Sequence, residues 1–529
     1  SDVVVIHPGS RNLYIGRASD AFPKEIPQVI VRRTSSPSTS PPFPTHIRIS
    51  PAALEPIEAD VKARLRALKI RTQPSSHAQV KSYNAQAVPE TILDHNDSFK
   101  VDWVEFGNDA LRIPILSTPP PFSPATIPRP PPPPTAPAPP LRAFYPIQHG
   151  LLNTEDYTSI RACLADLQTI WTESIEEELS IPRANFSSCS VVLVIPDLFS
   201  KTTVREMIGM LVGVAGERGV AGGGMGFRGL LLIQESVSAS FGAGMSTTCV
   251  VDIGAQKTSI ACVEDGLCVP DTRINLKYGG DDVTAFLRSL LVKNDFPYRE
   301  LDVEGRVSDW LLTQELKEKF CTVNEVDMIV NVYDFQVRAP DRPTLMYRFK
   351  MYDEIAIAPM VCWGGNVASR RQIVVGRIRP LTPTRMPPPM HFLRRRRALP
   401  TLPDLLSPLD LAVSRSIELY AHAYTDIKER DLEDRVRRLC ASILLVGGGA
   451  RARGIGRLLA DRVGRRLAES PLRAVVLESP REMDPRFLCW KGASIYAKLD
   501  MAGEMWIGRQ EWEFGGVVRV LGKMIFGWD

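Results

Sequence analysis

The residues of this 529-residue chain best suited to chemistry lie at three glycine-containing turns, each following an apolar run. They are His7-Pro8-Gly9-Ser10, the stretch VVDIGAQKTSI at 250–260, and LLVGGGARARGIG at 444–456. A strand that ends on glycine exposes backbone N–H groups, which can hydrogen-bond phosphate oxygens with no side chain in the way. Glycine also ends strands for steric reasons, so the first turn taken alone reads first as a plain tight turn. The second turn says more. Asp252 closes the apolar run Cys249-Val250-Val251 and precedes Ile253-Gly254. A carboxylate at that place suits Mg²⁺ held through water, because this hard cation prefers oxygen ligands. An Asx turn capping the strand is the alternative.

Those turns need strands and helices to hold them. Val3–Ile6 reads as a strand, followed by a tight turn and a second strand to Gly16. Val191–Ile195, Leu230–Ile233, Cys249–Ile253 and Ile443–Val446 read as buried strands. Between them, residues 154–179, 202–214, 235–241 and 409–423 have helical spacing. Strands alternating with helices give an α/β fold with mixed sheets. Two stretches interrupt this order. Residues 34–140 hold a Ser/Pro-rich loop, a helical pattern at 51–70 and a Pro-rich run at 114–140 that includes Pro130–Pro134. Residues 366–403 are rich in Pro and Arg. Polyproline segments of this kind form neither helix nor sheet, and serve as spacers or as ligands for Pro-binding domains.

Composition sets limits. The net charge of +4 leaves nucleic-acid affinity to local patches. Arg394, Arg395, Arg396 and Arg397 form such a patch, suited to phosphate contacts or simply solvated. Arg435, Arg437 and Arg438 read as a solvated helix face. The nine cysteines form no C-x-x-C pair, which points to free thiols in a reducing compartment. No apolar run reaches the roughly 20 residues of a membrane span, so no membrane partner is expected.

Several blocks in a fixed order make the resemblance specific. YPIQHG at 145–150, IQESVSASFGAG at 233–244, VVDIGAQKTSI, LCVPDTRINLKYGGDDVTAFLRSLL at 267–291, ELKEKFCTV at 315–323, VGGGARARGIG and the C-terminal block at 490–516 all resemble the actin family. The resemblance implies an actin-like, RNase H-like ATPase fold: two halves, each with a mixed sheet, around a nucleotide cleft. One half would comprise residues 1–234 and 487–529, the other 235–486. It further implies ATP or ADP with Mg²⁺ as cofactors. Gly9, Ser10, Asp252, Gly254, Gly280, Lys317, Glu318, Gly447, Gly448 and Gly449 would bind the nucleotide. Asp252 would hold the metal through water, and Gln234 would keep the place that positions the attacking water.

The chain also departs from the family pattern. His7 stands where actin has an acidic residue, Tyr14 where it has lysine, Ser259 for a histidine and Ala255 for an aspartate. Near the adenine, Arg451 and Ala452 replace methionine and tyrosine. Phosphoryl transfer depends on placed charge and water, so these losses imply nucleotide binding with slow or no hydrolysis. The insertions and the C-terminal ending resemble family members of INO-eighty-type chromatin remodellers. That implies a nuclear subunit in a module with actin, a second actin-related protein and a helical segment of the remodeller ATPase, contacting nucleosomes or linker DNA. An active ATPase of the actin superfamily and a cytoskeletal actin relative are the alternatives.

Overall fold

A computed structural model describes residues 2–33, 59, 63, 76–92, 106–112, 141–213, 224–363 and 407–514, apart from 304, 325–326, 328–329, 339–342, 424–428, 468–473 and 481. Most of the helical pattern at 51–70, the Pro-rich run and the 366–403 stretch with Arg394–Arg397 lie outside the described residues.

Two mixed sheets form the frame. The first runs in the order Ile507–Gly508, Gly229–Gln234, Ser190–Ile195, Val3–Pro8, Asn12–Arg17, Lys24–Pro27. The second runs Leu267–Cys268, Thr258–Glu264, Thr248–Ile253, Ile443–Val446, Val476–Leu477. Each is built on the same unit. A strand folds back on itself as an antiparallel hairpin and pairs in parallel on its other side: Val3–Pro8 with Ser190–Ile195, and Thr248–Ile253 with Ile443–Val446. Parallel strands are covered on both faces, which explains why Val4, Val5, Ile6 and the whole of Ser190–Ile195 are buried without alternation.

The helices Glu235–Ala243 and Leu488–Tyr496 cross between the sheets. Their crossing depends on glycine. A Cβ on Gly492 would fall 1.6 Å from the Ser238 carbonyl oxygen, and one on Gly242 would fall 2.4 Å from that of Leu488. Trp490, on the second helix, is fully buried and donates its indole N–H to the Val5 carbonyl at 3.1 Å, tying this helix to the first sheet.

Two sequence expectations change. The helix expected over 154–179 begins at Ile160. Asn153 accepts the N–H groups of Glu155 and Asp156 in an Asx turn, and Ser159 then caps the helix. The second change concerns residues 34–140, read as one insertion within the first half. They contain the helix Ser76–Gln86 and the strand Glu90–Ile92, which pairs with Thr344–Met351 in a separate three-stranded sheet. Buried Asn84 fixes the contact. Its amide donates to the carbonyls of Asn294 and Lys350, and its oxygen accepts the Lys350 N–H at 2.7 Å. All nine cysteines are unpaired, and among the described residues no helix is long and apolar enough to cross a membrane.

Candidate functional site

The two hairpins point their turns at one cavity of about 850 Å³, a volume suited to a nucleotide-sized ligand. They close alike. The Gly9 N–H donates to the Asn12 carbonyl at 2.8 Å, and the Gly254 N–H donates to that of Lys257 at 2.9 Å. Gly280 and Asp281, at the start of the helix Gly280–Lys293, donate their N–H groups to the carbonyls of Gly254 and Ala255. The third turn lies beside Asp252, because Val446 is its parallel partner. Gly447, at φ +86°, leaves room there: a Cβ would fall 2.2 Å from the Asp252 carboxylate. Only glycine allows that approach.

The expected residues Gly9, Ser10, Asp252, Gly254, Gly280, Lys317, Glu318, Gly447, Gly448 and Gly449 all line this cavity. Lys317 is held by the Gly280 carbonyl at 3.0 Å and the Thr284 hydroxyl at 2.9 Å, and burial pushes its pKa down. Glu318 accepts from Gln314 and stands 3.7 Å from Arg451, the residue in the methionine's place.

Gln234 is placed differently from the expectation. It is buried, donates its amide to the Asp197 carbonyl at 3.3 Å, and is not among the residues lining the cavity. The next residue, Glu235, lines the cavity instead. Ser259 is also buried away from the cavity, and its hydroxyl has no hydrogen-bond partner. Tyr14 lies between His7 and Phe487, at ring distances of 5.6 and 5.5 Å.

Several charged residues of the site were missed, among them Arg11, Glu25, Glu235, Lys257, Asp281 and Arg486. Arg11 reaches from the first hairpin to Asp281 at 2.7 Å and lies over the Tyr145 ring. Arg486 pairs with Glu25 and Asp484. Lys257 ends the second turn and pairs with Glu235 at 2.5 Å, both side chains being almost fully covered. The one sequence signal was a single charge within a short uncharged stretch, in IQES and in AQKTS. A charge in such a setting is buried only with a partner.

The corner at the phosphate turns has its own electrostatics. Burial lowers the His7 pKa to about 4, with Glu235 opposing, so the imidazole is neutral at pH 7. Its Nδ1 has no partner, and its Nε2 is 4.0 Å from Glu235. Burial and the nearby Glu235 raise the Asp252 carboxyl to about 7, while Lys257 opposes the rise. Asp197, raised to about 6, is bound by the N–H and hydroxyl of Ser236. These residues fit the expected Mg²⁺ poorly. Glu235 is taken by Lys257, His7 stands where the family resemblance expects a carboxylate, and Asp197 is held by Ser236 and does not line the cavity, which leaves Asp252. Among the described residues no group of three or more His, Cys, Asp or Glu is arranged to hold a metal.

Outside the cleft, Arg437 and Arg438 are exposed as expected of a solvated face. Arg435 is not: it pairs with Glu264 at 3.3 Å and lies over the Tyr420 ring.

Known proteins resemble the chain over nearly its whole length. The actin family model matches residues 224–349 and 417–524. The probable actin-related protein 8 of Schizosaccharomyces pombe is 30% identical, over 97% of this chain and 83% of that protein. Human actin-related protein 8 is 29% identical, over 99% of this chain and 92% of its own length. The solved structure described as human actin-related protein Arp8 in its ATP-bound state superposes with a TM-score of 0.76 at 31% identity, covering 99% of this chain and 97% of that one. With the two hairpins, the glycine turns and the mixed sheets in place, the chain belongs to the actin-related protein 8 family, within the actin family.

Proposed function

We propose that this chain is a nucleotide-holding, non-hydrolysing structural subunit of a nuclear INO-eighty-type chromatin remodeller. It would sit in a module with actin, a second actin-related protein and a helical segment of the remodeller ATPase, and contact nucleosomes or linker DNA. The nucleotide is ATP or ADP. The ATP-bound state of the human relative supports this. The observation that carries the holding role is the state of the phosphate turns. Both turns keep their closed hairpin geometry and line the cavity with their glycines, while the groups that would position water are replaced or differently placed: His7, Ala255 and Ser259 are changed, and Gln234 donates to the Asp197 carbonyl. Backbone N–H groups bind phosphate, whereas turnover also needs an oriented water and matched charge.

Two measurements test the reading. In a single-turnover assay with labelled ATP, the purified chain should bind nucleotide and release no phosphate within hours. Turnover at the rate of conventional actin would overturn the holding role. Affinity purification from nuclear extract should recover actin and the remodeller ATPase, and their absence would overturn the scaffold role. Charge reversal at Arg394–Arg397 should weaken DNA binding and flatten its salt dependence.

A further inference from the structure

We propose that Lys257 is the counter-cation of the bound polyphosphate, so that this chain holds its nucleotide without a divalent metal ion. The inference rests on the nucleotide-binding reading above and concerns how that same site is charged.

The placement of Lys257 carries the argument. It is the last residue of the second phosphate turn, and its carbonyl closes that turn against the Gly254 N–H. Its side chain lines the same corner as His7, Glu235 and Asp252. An ammonium has three donors. One is spent on Glu235, and the remainder can meet phosphate oxygens lying on the glycine turns. Five other cations lining the cavity are held by protein partners: Arg11 by Asp281, Lys317 by Gly280 and Thr284, Lys319 by Glu315, Arg451 by Glu318, and Arg486 by Glu25 and Asp484.

A second feature is built around the same side chain. His149 and Gly150 both adopt left-handed backbone, at φ 51° and 77°. His149 donates its N–H to the Gln256 side chain, and its ring Nδ1 is 2.8 Å from the Gln256 carbonyl. This loop lies directly on the lysine. A Cβ on Gly150 would fall 3.1 to 3.3 Å from Lys257 Cδ, Nζ and Cε. The loop thus covers the lysine and packs its side chain against the Gly150 backbone. The partner at the mouth is consistent with this. At the place of actin's acidic residue stands His7, an imidazole that adds no negative charge for a metal to neutralise. An ammonium supplies charge and donors but carries no bound water to deliver, which agrees with a site that holds nucleotide rather than hydrolysing it.

The test measures nucleotide retention by the full chain. Purified protein is incubated in excess EDTA or in Mg²⁺ and desalted, and the bound nucleotide is released by denaturation and quantified against protein. Metal content is measured on the same samples. Equal retention in EDTA and in Mg²⁺, with metal well below one per nucleotide, is the expected result. Loss of nucleotide in EDTA that Mg²⁺ prevents would overturn the proposal and leave nucleotide binding standing. If nucleotide is absent and added ATP fails to bind under either condition, the binding reading fails and the proposal with it. Lys257→Met should lower affinity for ATP in EDTA by roughly tenfold or more, the loss of a charge-assisted contact. Lys257→Arg should restore most of it, and circular dichroism of both variants separates this from misfolding. A folded Lys257→Met protein that retains nucleotide in EDTA like the parent would also overturn the assignment.

Discussion

The two phosphate hairpins share one backbone plan and differ in their side chains. Each closes by the same glycine N–H to carbonyl bond, and each sends one cation to a carboxylate on a neighbouring element. Arg11 leaves the first sheet's hairpin for Asp281, at the start of a helix docked on the second hairpin. Lys257 leaves the second sheet's hairpin for Glu235, next to the last residue of a strand in the first sheet. The two pairs therefore cross the cleft in opposite directions. Arg11 is held through its Nε by Asp281 and lies over the Tyr145 ring. Lys257 faces that corner and keeps donors for a ligand. The first pair acts as a clamp and the second as a charge carrier, and the backbone alone distinguishes neither role.

The largest test of this contrast is Arg11→Ala. It strands a covered Asp281 carboxylate and should destabilise the chain by about 3–5 kcal/mol in urea unfolding. A change below about 1 kcal/mol would remove the clamp from the account. His7 comes next. Because burial holds its pKa near 4, the folded chain binds fewer protons there than the unfolded chain between pH 4 and the ordinary value near 6.5. Its contribution therefore raises stability as pH climbs through that window and is lost as pH falls. The raised carboxyls of Asp197 and Asp252 act in the opposite sense from about pH 4 to 6–7. His7→Asn should delete the histidine contribution, up to about 3 kcal/mol. Unfolding midpoints of the variant should then fall more steeply with rising pH than those of the parent, and parallel profiles would argue against a neutral buried imidazole.

Glu235→Gln should cost about 2 kcal/mol without ligand, as it leaves a buried ammonium with a neutral partner. Its thermal shift on adding ATP should exceed the parent's, because the freed ammonium gains more from phosphate. A smaller shift would place Lys257 in the clamp class with Arg11. The smallest effect belongs to the far end of the cleft. Glu318→Ala breaks a half-exposed pair with Arg451, so stability should change by less than about 1 kcal/mol. A larger loss would mean that this pair also bridges the site.

Much of the fold was legible because it rests on local pattern. Val3–Ile6, Val191–Ile195 and Cys249–Ile253 announce themselves as continuous apolar runs, and the glycine turns follow directly from them. The ordered blocks then gave the family. The residues 76–92 were not legible as part of another sheet, since strand pairing over more than 250 residues of chain leaves no local period. Gln234 shows the same limit within the site. Its position in the IQES block marked it as a water-positioning residue, yet the direction of its side chain depends on where the Asp197 carbonyl lies.

By itself the sequence determined where phosphate can be held, because glycine at a strand end fixes backbone access whatever surrounds it. It also determined which family groups were lost, among them His7, Tyr14 and Ser259. Only the tertiary structure decided how the remaining charges are paired. Lys257 and Glu235 are 22 residues apart and Arg11 and Asp281 are 270 apart, and a buried charge takes its meaning from the partner that folding brings within reach.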